Sequence, residues 1–223
     1  MIRKLGIILE CDAGGPDELV FKCLVRRLSP TTEVVTRSLG NKLAVEERCA
    51  DVAEALIDKD HCDLVLIVWD LKPLWKKPGS CITETNNINA KLEGLPNAKQ
   101  SKIKLLCITH ELETWLLADQ SAIREHLSKP TYQCKWKTSK KAETYTDAKA
   151  ELNTLIKKHR GTRYTDVCEA IQIACRWTST RPLLKVQSFK RFAKLITANE
   201  APEFQKDADI CADLCHSGRM MGR

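Results

Sequence analysis

The chain has 223 residues, of which 43% are hydrophobic, and a formal net charge of +7. That length suits one α/β domain, or one domain with a helical extension, and the hydrophobic fraction supports a sizeable core. No apolar run reaches the roughly eighteen residues of a membrane-spanning helix, and the N-terminus has no secretory signal pattern. We therefore expect a cytoplasmic protein without a membrane partner.

The eleven cysteines are scattered along the chain, and their number is odd. Several lie in apolar helical or strand patterns: Cys23, Cys107, Cys168 and Cys175. This usage predicts reduced thiols that serve as small buried hydrophobic groups. A structural zinc site on Cys211, Cys215 and His216 is not favoured, because no paired Cys-x-x-Cys spacing supplies a fourth ligand.

The first two thirds of the chain alternate between strand and helix patterns. Apolar periodicity predicts these elements in chain order: a strand over 5–10, a helix over 19–28, a short strand over 33–39, a helix over 45–57, strands over 64–69 and 103–108, and helical segments over 111–117 and 122–127. Residues 72–101 are polar and carry several prolines and glycines, which predicts a long irregular loop.

After Pro130 the pattern becomes purely helical. Helices are predicted over 146–158, 165–176, 188–197 and 207–215, with no further strand. We therefore predict an α/β fold, with a mainly parallel, Rossmann-like sheet in residues 1–128 and a basic helical extension in residues 129–223 packed on the same domain. Residues 120–197 carry 17 lysines and arginines against 6 acids. This excess suits a polyanionic partner, although solvated helix faces would have the same composition.

Acidic residues follow three of the apolar strands. Glu10 ends the first, Asp70 ends the second, and Glu111 and Glu113 follow the third. Ligands of parallel sheets bind beyond the carboxyl ends of the strands, and carboxylate oxygens bind Mg²⁺ or Mn²⁺. We therefore predict Glu10, Asp70 and Glu113 as catalytic residues, and these three with Glu111 and Asp12 as metal ligands. The alternative is structural, with strand-end acids capping helices or complementing helix dipoles.

Glu111 and Glu113 lie two residues apart near a helix start, so they do not share a helix face. We favour Glu113 as the inward residue because an apolar helical segment follows it. Asp17, on the segment after Glu10, could also reach a bound ion.

The strand that leads to Glu10, the glycine-containing turn and helix after it, and the strand that leads to Asp70 together resemble the TOPRIM fold of topoisomerases, primases and OLD-type nucleases. Residues 110–119, His-Glu-Leu-Glu-Thr-Trp-Leu-Leu-Ala-Asp, are similar to the signature of a TOPRIM-like family of bacterial anti-phage defence loci. The segments 164–166 and 188–192 also resemble that family. The resemblance implies a metal-dependent nuclease regulated by an AAA- or ABC-type ATPase encoded nearby.

The TOPRIM pattern ends its acidic strand with Asp-x-Asp, whereas this chain has Asp70-Leu71-Lys72. A lysine thus replaces the second carboxylate and could hold a phosphate as a point charge. The other candidates for nucleic-acid binding are basic residues of the extension, some of them interleaved with aromatic residues: Lys137, Lys140, Lys141, Arg176, Lys190 and Arg191.

Two functions remain open from the sequence. The preferred one is a TOPRIM-like, Mg²⁺-dependent phosphodiester hydrolase that acts as a nuclease effector in phage defence. The alternative is a non-catalytic TOPRIM-like subunit whose acidic edge and basic helices bind the ATPase or nucleic acid. Lys72 in place of an acid favours the alternative. The nature of the nucleic acid, DNA or RNA, is left open.

Overall fold

The computed structural model describes residues 2–72, 79–205, 211, 213 and 214. Its centre is a four-stranded parallel sheet in the order β2-β1-β3-β4. The strands are β1 (Lys4–Leu9), β2 (Glu33–Ser38), β3 (Leu64–Asp70) and β4 (Ile103–Ile108). The prediction of an α/β fold with a parallel, Rossmann-like sheet is confirmed.

Helices cover both faces of this sheet. In the described part of the chain they are α1 (Pro16–Leu28), α2 (Lys42–Asp58), α3 (Cys81–Leu92), α4 (Asn97–Gln100), α5 (Glu113–Ala118), α6 (Gln120–Leu127), α7 (Ala148–Arg160), α8 (Asp166–Ala174) and α9 (Gln187–Thr197). Two short 3₁₀ turns cover Ala142–Thr144 and Leu183–Lys185. None of these helices has the length and apolar character needed to cross a membrane.

The central strands are buried on both faces, which explains their continuous apolar runs. In β1, Leu5, Ile7 and Leu9 face the larger core, which α1 and the helices from α5 onward cover. Ile8 faces the smaller core, which α2 and α3 cover. Side chains alternate between the two faces because successive residues of a strand point in opposite directions.

The prediction of an irregular loop over residues 72–101 is wrong for most of its length, because α3 and α4 lie there. The side chain of Ser80 caps α3 by accepting a hydrogen bond from the backbone N–H of Thr83 at 3.1 Å. In the sequence of α3, only Ile88 and Leu92 are buried, so the helical apolar pattern is too sparse to recognise. Residues 73–78 of this stretch, with Lys76 and Lys77, lie outside the described residues.

Aromatic residues join the α/β part of the chain to the helical extension. Trp115 of α5 packs with its ring centroid 5.4 Å from Phe21 of α1, and 5.3 Å and 5.6 Å from Phe189 and Phe192 of α9. The indole N–H of Trp115 donates a hydrogen bond to the hydroxyl of Ser188 at 2.8 Å. Residues on both sides of position 128 thus share one core.

We predict that Ser188→Ala destabilises the protein by about 1–2 kcal/mol. The change removes the acceptor of a fully buried indole N–H, and a buried donor left without a partner costs its desolvation free energy. The free energy of unfolding, measured by urea denaturation, checks this value. Ser139→Ala, at an exposed position of the extension, is the matched control and should change it little. Equal stability of the two variants would contradict the prediction.

The expectation that the cysteines are reduced is wrong for several of them. Disulfides join Cys81 to Cys107, with Cα atoms 5.6 Å apart, and Cys23 to Cys211, with Cα atoms 5.5 Å apart. Cys175 is also disulfide-bonded. Pairs separated by 26 and 188 residues cannot be recognised from spacing, because folding alone brings the sulfurs together. The described cysteines that remain free are Cys11, Cys49, Cys62, Cys134 and Cys168.

Candidate active site

Three of the strand-end acids lie at one edge of the sheet. Glu10 directly follows β1, and Asp70 is the last residue of β3, the strand beside it. Glu113 begins α5, which follows β4, the other neighbour of β3. All strands are parallel, so these positions are at the carboxyl ends of three adjacent strands, where parallel sheets bind ligands.

A fourth carboxylate, Asp17, joins this group from the first turn of α1. Burial raises the pKa of Asp70 well above its usual value, and the charges of Asp17, Glu10 and Glu113 raise it further. The four carboxyl groups are therefore close enough to oppose each other's ionisation. We call Glu10, Asp17, Asp70 and Glu113 the acidic cluster.

The other members of the acidic cluster also hold their protons more tightly than free carboxyl groups do. Burial is the first cause in each case, and neighbouring acids add to it. The pKa of Glu10 is raised to about 8, that of Asp17 to about 6 and that of Glu113 to about 7. Carboxyl groups that titrate near neutral pH are typical of sites that exchange protons or bind cations.

The protein positions two of these carboxylates and leaves a third with a free oxygen. The backbone N–H of Leu112 donates to Asp70 Oδ2 at 3.3 Å, and the hydroxyl of Tyr164 donates to Glu113 Oε1 at 3.2 Å. Glu10 Oε2 is buried and has no hydrogen-bond partner among the described residues. Since buried polar atoms are normally satisfied, this oxygen is available for a ligand.

A partly buried lysine, Lys42, balances part of the negative charge. Its ammonium donates to the carbonyl oxygen of Leu71 at 2.8 Å and lies 3.4 Å from Glu84 Oε1. After the effect of burial, its charge is the largest influence on the pKa of Glu10, which it lowers. Lys42 was not singled out from the sequence. Lys42 is the first residue of α2, where a cation is unfavourable for the helix dipole. This unusual position is the sequence signal from which a functional role of Lys42 could have been inferred.

The two remaining predicted metal ligands lie at the margin of the acidic cluster. Glu111 Oε1 accepts the backbone N–H of Lys149 at 2.7 Å and so caps the start of α7. Asp12 is exposed, and its Oδ1 lies 3.3 Å from the position that a Cβ on Gly40 would take. Glu113 is buried, so it is the inward residue of the Glu111/Glu113 pair, as predicted.

A cleft of about 550 Å³ adjoins the acidic cluster on the side of the helical extension. It is lined by residues from both parts of the chain: Lys72, Glu111, Thr146, Asp147, Lys149, Ala150, Asn153, Arg163 and Tyr164. The hydroxyl of Tyr164 also donates to Glu113, so this side chain connects the wall of the cleft to the acidic cluster. Lys149 and Arg163 were not singled out from the sequence, because no local pattern separates them from other basic residues of the extension.

Of the basic residues predicted to bind nucleic acid, Lys72 lies closest to the acids. Its ammonium donates to the carbonyl oxygen of Thr146, at the wall of the cleft. Lys137, Lys140 and Lys141 are exposed on the segment that leads towards Thr146. The ammonium of Lys140 lies 4.0 Å from the ring centroid of Tyr145.

The other three predicted basic residues contact partners elsewhere on the molecule. Arg176 pairs with Glu125 at 3.7 Å, and Lys190 pairs with Glu200 at 3.6 Å. Arg191 donates to the carbonyl oxygen of Leu105, in the middle of β4, at 3.4 Å. The structure therefore brings only some of the predicted basic residues to the acidic edge.

The acidic cluster provides suitable donors for Mg²⁺ or Mn²⁺, because its ligands are carboxylate oxygens and Glu10 Oε2 lacks a partner. Among the described residues, no three carboxylate, histidine or cysteine side chains are arranged as a complete metal site. Mg²⁺ does not need one, since it is usually held by one or two carboxylates, waters and substrate phosphates. Glu10 and Asp70, on neighbouring strands, would hold such an ion.

Comparison of the chain with protein-family models, with curated proteins and with solved structures finds no match.

Proposed function

We propose that this protein is a TOPRIM-like phosphodiester hydrolase that depends on Mg²⁺ or Mn²⁺ and acts as a nuclease effector of bacterial phage defence. The observation that carries the proposal is the acidic cluster at the carboxyl ends of adjacent parallel strands. The defence context and regulation by a partner ATPase rest on the resemblance of residues 110–119 to the TOPRIM-like family.

In this proposal some side chains supply charge and others fix the positions of the reacting groups. Glu10 and Asp70 would hold the cation, which when bound supplies Lewis-acid stabilisation of charge on the phosphate and leaving oxygens. Glu113, with a pKa raised to about 7, is able to accept or donate a proton near neutral pH. Tyr164 fixes the orientation of Glu113, and Lys42 limits the repulsion at Glu10.

A metal titration followed by a hydrolysis assay tests this function. We expect Mg²⁺ or Mn²⁺ to raise the melting temperature, and short single-stranded DNA and RNA to be cleaved only when the metal is present. The hydrolysis assay includes the partner ATPase, because in the proposed function the ATPase regulates the nuclease. No thermal shift and no cleavage with metal and ATPase together would refute the hydrolase.

A second candidate is the non-catalytic TOPRIM-like subunit that binds the ATPase or nucleic acid. Two observations favour it. Lys72 occupies the place of the second TOPRIM acid, and no complete metal site is formed by the described residues. In the same assay this candidate predicts stable binding to the ATPase or to nucleic acid, without cleavage and without stabilisation by Mg²⁺.

A further inference from the structure

The charged side chains that line the cleft beside the acidic cluster differ in how well they are neutralised. Its two acids are occupied by the start of α7: Glu111 accepts the backbone N–H of Lys149, and Asp147 accepts that of Ala150, each at 2.7 Å. The ammonium of Lys149 pairs with Asp166. The hydrogen bonds of these groups are therefore made within the protein, and the positive end of the α7 dipole offsets part of the charge of the two acids.

The other two cations of the cleft, Lys72 and Arg163, form no ion pair with an acid among the described residues. Lys72 donates to the carbonyl oxygen of Thr146, a neutral acceptor that leaves the positive charge uncompensated. Arg163 is exposed, and no acid among the described residues lies within ion-pair distance of it. Lys72 comes from the end of β3 and Arg163 from the loop between α7 and α8, so folding brings two uncompensated cations to one cavity. The lining thus carries Lys72, Lys149 and Arg163 against Glu111 and Asp147, and this net charge of +1 suits an anionic ligand.

The dimensions of the cleft restrict the kind of anion. A volume of about 550 Å³ is within the roughly 300–1,000 Å³ of small-ligand pockets and holds one or two nucleotides. A double helix is too large to enter a cavity of this volume, since its major groove alone is about 12 Å across. Tyr164 lines the cleft and contacts Glu113, so a strand bound in the cleft lies one side chain away from the acidic cluster.

We propose that this cleft binds the phosphates of a single-stranded nucleic acid, with Lys72 and Arg163 as the phosphate-binding cations. The inference rests on the proposed function, because it names the substrate class of the same site. It differs from the assignment made from the sequence, which placed the phosphate contacts mainly on Lys137, Lys140, Lys141, Arg176, Lys190 and Arg191. In the structure Arg163 reaches the cleft, whereas Arg176, Lys190 and Arg191 are engaged elsewhere.

Fluorescence anisotropy with a labelled oligothymidylate of about 12 nucleotides, in EDTA, tests the cleft without any metal-dependent step. We expect Arg163→Gln to weaken binding about 5- to 20-fold at low salt and to reduce the log–log salt slope by about 0.7, the value for one lost phosphate contact on a single strand. Lys72→Gln should weaken binding to a similar degree. Arg48→Gln, an exposed arginine on α2 across the sheet, is the matched control and should stay within about twofold of the wild type.

Each outcome decides the proposal. Unchanged affinity of both Arg163→Gln and Lys72→Gln overturns it, as does equal weakening by Arg48→Gln. A duplex of the same length that binds more tightly, and is weakened equally by Arg163→Gln, also overturns it. If the cleft variants lose binding while the wild type never cleaves with metal, the single-strand site stands and the hydrolase fails. If cleavage occurs but the cleft variants bind and cleave normally, the hydrolase stands and the cleft fails.

Discussion

In the proposed hydrolase, Glu10→Gln should strongly reduce metal-dependent hydrolysis while leaving the fold intact. Glu10 is the member of the acidic cluster with a buried oxygen that has no hydrogen-bond partner in the described part of the chain. Glutamine keeps the shape but removes the charge that would attract a cation. We expect the hydrolysis rate to fall by about 100- to 1,000-fold, the size of effect seen when one charge-stabilising group is removed from an active site.

The same substitution should increase stability in the absence of metal. Burial and neighbouring acids raise the pKa of Glu10 to about 8, so the folded protein resists its ionisation. A neutral amide removes that conflict and should add about 1–3 kcal/mol to the free energy of unfolding at pH 8. Urea denaturation in EDTA measures this gain, and thermal shift with Mg²⁺ measures the loss of metal binding.

Glu47→Gln is the matched control, because Glu47 is exposed on α2 and outside the acidic cluster. It should change neither hydrolysis nor stability beyond about 0.5 kcal/mol. If Glu10→Gln retains full metal-dependent activity, or if it destabilises the metal-free protein at pH 8, then Glu10 is not a metal ligand held in a repulsive cluster.

The strands of the central sheet could be predicted because burial on both faces requires a continuous apolar run in the sequence. The apolar run over 64–69 became β3, and the run over 103–108 became β4. Helix α3 has no comparable apolar pattern in the sequence, because only two of its residues are buried and its other residues are mostly polar. Its contribution to the smaller core depends on tertiary packing, which a local pattern does not encode.

The acids of the site could likewise be predicted, because a parallel sheet sends the carboxyl ends of its strands to one edge. Their partners could not. Lys42 comes from the start of α2, and Tyr164 and Arg163 come from the loop between α7 and α8, far away in the sequence. Their approach depends on how the extension packs on the sheet, through contacts such as Trp115 with Ser188.

The acidic cluster has a further consequence, which is that stability without metal should fall as the pH rises. In the unfolded chain these carboxyl groups lose their protons near pH 4. In the folded protein Asp17 keeps its proton to about pH 6, Glu113 to about pH 7 and Glu10 to about pH 8. Between these values the folded state binds more protons than the unfolded state, so the free energy of unfolding decreases with increasing pH.

We expect a loss of several kcal/mol between pH 5 and pH 8 in EDTA, since each proton that only the folded state retains contributes about 1.4 kcal/mol per pH unit. Asp70→Asn should make this decline shallower, because it removes a carboxyl group whose own pKa is raised well above its usual value in the folded protein, by burial and then by its acidic neighbours. A bound cation replaces the protons, so the increase in melting temperature caused by Mg²⁺ should be larger at pH 8 than at pH 5.

Urea denaturation and thermal melts at several pH values, with Mg²⁺ or with EDTA, measure all three effects. Glu18, an acid with a lowered pKa, does not contribute to the pH dependence of stability in this range. Burial alone would raise its pKa, but hydrogen bonds from Lys22 and Gly14 lower it to about 2, below pH 5. A stability that rises between pH 5 and pH 8 in EDTA would contradict the raised pKa values of the acidic cluster. A Mg²⁺ effect that does not depend on pH would show that the ion binds elsewhere, because a cation bound by Glu10 and Asp70 must displace their protons.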